Sequence, residues 1–220
     1  IDESVKVPEV TDLQSFAAAI RASGLVGLGG AGFPTHVKLA ANTIDTLLIN
    51  AAECEPYLTT DCREMLECSD TIISGIAAVM KYCEIPHCII GIERNKPECI
   101  DLLTSLTREM KGVEVKGLPM RYPQGAEKTL IFSTTGRVVK EGTLPLASGC
   151  IVINSSTAAF IAQYIRTGMP LVKRRITVDG NIVKKPSNFI VPVGMSIGEI
   201  VYYAELSDKP DRIILGGPMM

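Results

Sequence analysis

The sequence has no tryptophan, only 5% aromatic residues and two histidines, His36 and His87. That inventory excludes a histidine-rich metal centre and an aromatic platform for stacking bases. Charge of one sign is also missing: 22 basic against 24 acidic residues leave a formal net charge of −2. Such a balance supplies no basic field to hold nucleic acid. No apolar run approaches the roughly 18 residues that cross a bilayer, so direct membrane insertion is not expected. The chain opens at Ile1 without a charged, then apolar, leader pattern, which marks it as an excised piece with unseen flanks. Seven cysteines occur at 54, 62, 68, 83, 88, 99 and 150, an odd number with no CxxC among them. Neither a disulfide framework nor an iron–sulfur or zinc signature follows, and reduced thiols used as small core residues in a cytoplasmic setting are the plain reading.

What is present suits an α/β unit. The 220 residues are 46% apolar, enough for one good-sized core and a small appendage. Apolar positions at Leu13, Phe16, Ala17 and Ile20, closed by Gly24, read as a helix over 11–24. Short apolar strands are predicted at 45–50, 88–92, 113–116 and 149–154, with helices at 69–82, 97–110, 127–132 and 158–166 between or after them. Alternation of this kind points to a largely parallel sheet covered by helices. After Pro170 the style changes. Strands at 174–180 and 188–193, a capping box from Ser196 to Glu199 opening a helix to about Ala204, and a final strand at 211–215 suggest a β-grasp-like module.

The loudest local signal is Gly27-Leu-Gly-Gly-Ala-Gly32, followed by Phe33-Pro34 and Lys38. It fits GxGxxG, yet a helix precedes it where a dinucleotide fold needs a strand, and no Gly-Lys-Ser/Thr closes it as a nucleotide P-loop would. A glycine hinge between helices is one reading. Backbone N–H groups and an ammonium holding a phosphate, with a flat ring against the bare backbone, is the better supported one. Asn50-Ala-Ala-Glu-Cys-Glu-Pro56 sets an amide and two carboxylates just past a strand's carboxyl end, where open α/β sheets collect ligands. Gly125-Ala-Glu127 and Asn154-Ser-Ser-Thr157 are further loops before helices, each of which alone reads as a turn and a cap. Three other matches fail. Gly194-Met-Ser-Ile-Gly198 has the GxSxG form, but no histidine follows Ser196, which reads as a helix cap. Asn154-Ser-Ser156 is a formal glycosylation sequon in a chain with no sign of secretion, and Lys173-Arg-Arg175 reads as a solvated strand edge.

Taken together, Gly27 to Leu39, Asn50 to Tyr57, Tyr122 to Lys128, Val152 to Thr157 and Leu215 to Met219 closely resemble the C subunits of Rnf electron-transport complexes. Those proteins are similar in turn to the flavin-carrying, NADH-oxidising subunit of respiratory complex I. The resemblance implies a Rossmann-like FMN-binding domain over 1–170 and a small β-grasp (SLBB) domain over 171–220, the latter incomplete. A ferredoxin-like region with two [4Fe–4S] clusters is expected beyond the chain end. It further implies that Gly27, Gly29, Gly30 and Gly32 border FMN, that Lys38 meets its phosphate, and that Asn50 and Glu53 touch the ring. Gly125 and Glu127 would lie near ring and ribityl chain, with Asn154 and Thr157 at the phosphate end. Phe33 would stack on NADH, with Glu55, Tyr122 and Glu127 toward the dinucleotide.

No catalytic acid or base and no metal ligand in this chain is implied, since the cofactor performs the hydride chemistry. Partners would be NAD(H) and either the other subunits of an electron-transfer complex or a soluble reductase, with a cytoplasmic place, peripheral to the membrane in the first case. Ala52 stands where complex I relatives carry aspartate, His36 replaces a glycine, Ala126 an acidic residue, and Ser155-Ser156 a Val-Glu pair. A flavin-less structural subunit on the same fold is therefore the rival expectation.

Overall fold

Four short aliphatic runs form the central sheet of the computed structural model, which describes residues 5–40 and 43–219. They are β1 (Thr46–Ala51), β2 (His87–Glu93), β3 (Val113–Leu118) and β4 (Cys150–Asn154). All are parallel, in the order β3-β2-β1-β4, with Leu48 opposite Ile89 on one side and Val152 on the other. Leu47, Leu48 and Ile49 are fully buried, because helices cover both faces and each side chain of a central parallel strand meets a core. Burying each such side chain contributes about 1.5–3 kcal/mol.

The larger core lies on one face, under α1 (Leu13–Ala22), α4 (Ser69–Tyr82), α5 (Pro97–Thr107) and α7 (Ser155–Thr167). A smaller one joins Leu48, Leu118 and Val152 to Leu130 and Ile131 of α6 (Glu127–Thr135) on the other. The helices α2 (Thr35–Leu39) and α3 (Thr60–Glu67) are short and flank the carboxyl ends of the strands. The sequence pattern missed α3, whose start is capped from outside the usual capping positions by a carboxylate eight residues upstream, described below. It also placed the start of α7 at 158; the helix begins three residues earlier because Asn154 accepts the Ser156 N–H and caps it there. No helix among the described residues is long and apolar enough to cross a membrane.

The tail forms a separate two-stranded antiparallel sheet, β5 (Lys173–Val178) with β6 (Ser187–Pro192), followed by α8 (Ile197–Ala204). Ser196 caps α8 as expected, accepting the Glu199 N–H at 3.2 Å while the Glu199 carboxylate accepts the Ser196 N–H at 3.0 Å. The strand expected at 211–215 is absent: Ile213, Ile214 and Leu215 are exposed, and an aliphatic run without a neighbouring strand to accept its ladder stays irregular. Residues 171–219 therefore show a hairpin and one helix, without the additional strand of a β-grasp. Arg175 also departs from expectation. It is no solvated edge residue but is paired with Glu64 at 3.2 Å and Glu67 at 2.8 Å on α3, while Arg174 donates to the Leu28 carbonyl at 3.2 Å. These contacts fasten the hairpin to the helix that borders the strand ends.

The two helices α4 and α7 touch at Gly75, where an added Cβ would come within 1.8 Å of the Ala158 carbonyl oxygen. Gly75→Ala must therefore push the helices apart. It is expected to lower unfolding free energy by about 2 kcal/mol or more, read from chemical denaturation of the two proteins side by side.

Candidate functional site

The carboxyl ends of β1 and β4 are neighbours, and each carries an asparagine. The Asn50 amide nitrogen donates to the Gly125 carbonyl at 2.8 Å, and its oxygen accepts the Ala52 N–H at 3.3 Å. The Gly125 N–H in turn points to the Cys54 sulfur at 3.3 Å. Asn154 donates to the Asn50 carbonyl at 3.3 Å and to Asp61 at 2.7 Å. Each amide thus ties one loop to another across the strand ends.

The glycine loop closes on the same place. A Cβ on Gly29 would meet the Asn154 Cβ at 3.1 Å, so a side chain there would have to displace the asparagine. Gly30 and Gly32 lie in the left-handed backbone region, at φ +127° and +62°. The Leu28 N–H donates to the buried Thr157 hydroxyl at 3.1 Å. Lys38, on α2, is in contact with the Glu127 carboxylate and donates to the Val152 carbonyl at 3.1 Å. Lys38, Asn50, Glu127 and Thr157, far apart in the sequence, are thereby joined to one end of the sheet. Buried hydroxyls of Thr35 and Ser155, which open α2 and α7, have no hydrogen-bond partner. The first turn of the 13-residue α7, with Gly29 against its capping Asn154, offers backbone N–H groups of the kind a phosphate ester would complete.

Glu53 is in place but turned elsewhere. Held at φ +50°, it sends its carboxylate to the start of α3, accepting the Asp61 N–H at 2.6 Å and the Cys62 N–H at 3.1 Å. It is the cap of that helix, supplied from upstream in the chain, so its side chain is committed to α3. Burial, then the Asp61 carboxylate, pushes its carboxyl up to about 7, although the two N–H groups and Lys96 favour the charged form. Asp61 is raised to about 6 by burial, against the hydrogen bonds from Asn154 and Ser156. Lys96 donates to the Ala52 carbonyl at 2.9 Å and pins the strand end from the side of α5. Asp61 and Lys96 are structural members of the site that the motifs did not single out. For Lys96 the sequence signal is its place just before the helix predicted from Pro97; Asp61 carries none, because the sequence pattern does not give α3.

Of the residues expected to face a dinucleotide, Phe33 is exposed, with the Lys38 ammonium 5.8 Å from its ring centre. Tyr122 is also exposed, whereas Glu55 is buried. Both are engaged by the chain's own carboxyl-terminal segment: the Met219 N–H donates to Glu55 at 2.7 Å and the Tyr122 hydroxyl donates to the Met219 carbonyl at 2.7 Å. Two hollows of about 370 Å³ each lie elsewhere, one at the amino end of the sheet between Thr46 and Arg137, one between α1 and α2. Neither is lined by Asn50, Glu127 or Thr157.

Residues 20–163 match the model of the Nuo51 FMN-binding domain. Among curated proteins the chain is similar to the C subunit of the proton-translocating ferredoxin:NAD(+) oxidoreductase complex of Clostridium ljungdahlii, at 43% identity over 91% of this chain and 45% of that one. It is 39% identical to the C subunit of the Na(+)-translocating ferredoxin:NAD(+) oxidoreductase complex of Acetobacterium woodii, over 100% of this chain and 51% of that one. The C subunit of an ion-translocating oxidoreductase complex of Rhodobacter capsulatus is 38% identical over 97% and 42%. The chain thus spans about half the length of the curated relatives it matches. Among solved structures, an NAD+-reducing [NiFe]-hydrogenase chain in the H2-reduced state superposes with a TM-score of 0.73 at 21% identity, covering 89% of this chain and 39% of that one. That likeness supports the fold.

The two raised carboxyls bind protons more tightly in the fold than in the unfolded chain, which sets the sign of their linkage. Their stabilising contribution is complete below about pH 4 and is lost as pH rises through about 6 for Asp61 and about 7 for Glu53. Thermal unfolding followed by circular dichroism should give a lower midpoint at pH 8 than at pH 5.5 from these groups. Glu53→Gln should flatten that dependence between about pH 4.5 and 7, the interval between the unfolded and folded values of Glu53.

Proposed function

The chain belongs to the Nuo51 FMN-binding domain family, and from that premise we propose that it binds FMN at the joined strand ends and serves NAD-linked electron transfer. The observation that carries the reading is the gathering of Lys38, Asn50, Glu127 and Thr157 at one end of the sheet, with the glycine loop brought against it where Gly29 meets Asn154. When bound, FMN would supply the chemistry, accepting a hydride from NADH and releasing electrons singly to iron–sulfur centres.

The protein's share is placement. Gly27, Gly29, Gly30 and Gly32 would let a planar ring lie on the backbone, with Asn50 and Gly125 holding its polar edge. Asn154, Thr157 and the start of α7 would meet the phosphate. Lys38 would reach that phosphate by exchanging Glu127 for a second anion, since the two side chains already lie in contact. The Glu53 carboxylate, engaged by α3, would act on the site through the position of its loop. Phe33, Glu55, Tyr122 and Glu127 would border the nicotinamide nucleotide. Residues 1–170 would form the nucleotide unit and 171–220 a docking module, in a peripheral subunit of an ion-translocating ferredoxin:NAD(+) oxidoreductase complex. [4Fe–4S] clusters would belong to segments outside these 220 residues.

Titration of FMN with the chain, followed by flavin fluorescence quenching, should give saturable one-to-one binding. Lys38→Ala should weaken it about tenfold, equal to ~1.4 kcal/mol, and Gly29→Val should abolish it at the same concentrations. The FMN-loaded chain should lose its flavin absorbance on anaerobic addition of NADH. Absence of FMN uptake by a folded chain would instead favour a structural role, consistent with Ala52 and Ala126.

A further inference from the structure

The segment Gly216 to Met219 runs back across the molecule and lies on Glu55. An added Cβ on Gly217 would stand 2.2 Å from the Glu55 Cγ and 2.3 Å from its Oε1, so the backbone here touches the carboxylate side chain directly. The Met219 N–H donates to Glu55 Oε1 at 2.7 Å, and the Tyr122 hydroxyl donates to the Met219 carbonyl at 2.7 Å. The segment is clamped at both ends of one residue. The second oxygen of the carboxylate, Oε2, is buried with no hydrogen-bond partner. A buried carboxylate oxygen without a donor is costly, and its twin is satisfied only by this segment.

We propose that residues 216–219 form a strap that occupies Glu55 and Tyr122 and lifts when a nicotinamide dinucleotide enters. This rests on the reading of Glu55 and Tyr122 as dinucleotide neighbours given above. The geometry makes the two occupants exclusive. Glu55 Oε1 is taken by the Met219 N–H, Oε2 is inaccessible while the strap is down, and a ribose diol needs carboxylate oxygens it can reach. Lifting would expose both oxygens to hydroxyl donors at once and give the orphan atom the partner it lacks. The resting strap lowers the apparent affinity for the dinucleotide by the fraction of molecules in which it is down. Glycine at 217 is what permits the closed form. At φ +126° and directly against the Glu55 side chain, any Cβ would unseat the segment while leaving the glycine loop, Lys38 and Asn50 untouched.

The experiment uses the FMN-loaded chain and its Gly217→Ala variant, with NADH as the probe under anaerobic conditions. Dissociation constants for NADH and for FMN are measured, together with hydrogen exchange over residues 216–219 with and without NADH. The strap predicts that NADH binding speeds exchange of the Met219 amide, and that Gly217→Ala tightens NADH at least about threefold while FMN affinity is unchanged. Binding of NADH by the variant alone would support it most strongly. NADH that binds the wild-type chain with the Met219 amide still protected, or a variant with unchanged or weaker NADH affinity, overturns the strap and leaves the dinucleotide reading standing. If neither protein binds NADH, the dinucleotide reading fails and the strap falls with it.

Discussion

The structure around the candidate site depends on one side-chain amide, that of Asn154, at the end of β4. Its oxygen accepts the Ser156 N–H and begins α7. Its nitrogen donates to the Asn50 carbonyl at 3.3 Å and to Asp61 at 2.7 Å, joining the neighbouring strand end to the start of α3. Gly29 lies against its Cβ. A single group with two donors and one acceptor thereby fixes two helix starts, two strand ends and the glycine loop relative to one another. All of these bonds are at least partly buried, where a broken one leaves an unpaired polar atom rather than a hydrated one. The loops can be irregular and still hold a definite shape because this amide leaves them few alternatives.

Around that amide, burial and charge are set against each other. Glu53 and Asp61 share a helix start with hydrogen bonds that favour their charged forms, yet burial raises both carboxyls toward neutral pH, added to at Glu53 by the Asp61 charge and at Asp61 by that of Glu64. Lys96, the nearby cation, spends its hydrogen bonds on the Ala52 and Glu53 carbonyls, at 2.9 and 3.5 Å. Lys96 also pairs with the buried Glu93 carboxylate at 3.6 Å, so the loop is held by a lysine whose charge is already balanced. On the opposite wall the contact of Lys38 with Glu127 balances its own charge. An incoming phosphate would meet a lysine already partnered, and its gain would be the difference between two anions.

Most of the framework was legible in the sequence, and the reasons are local. Periodic apolar positions specify α1, α4 and α5, and four short aliphatic runs specify a parallel sheet. The Ser196 to Glu199 capping box was readable because its partners lie three residues apart. The glycine loop and Asn50, Glu127 and Thr157 were legible as motifs, and their meeting in space was implied by the resemblance to the Rnf C subunits rather than by the spacing. What was not legible rests on distant partners. The cap of α3 comes from Glu53, Arg175 finds Glu64 and Glu67 more than a hundred residues away, and Asp61 acquires its role from Asn154. The run at 211–215 misled for the converse reason: its aliphatic character is that of a strand, but no edge is offered to it.

The strand-end cluster and the Glu55 contact are consequently unlike in their degree of completion. At the strand ends, a glycine loop, a capped helix start and bonded loop amides meet, and the buried Thr35 and Ser155 hydroxyls lack partners. At the other contact, one oxygen of Glu55 is satisfied by the chain's own Met219 and the other is left without a donor. A fully satisfied carboxylate would make the closed segment a permanent wall, and a fully exposed one would leave nothing to displace. Half-satisfaction keeps the closed form stable enough to be the resting state and unfavourable enough to be exchanged. A ligand with two vicinal hydroxyls can offer Glu55 two donors where the strap offers one. That difference of one hydrogen bond, about 0.5–1.5 kcal/mol for a neutral pair and more to a charged group, is what can tip the segment from one position to the other.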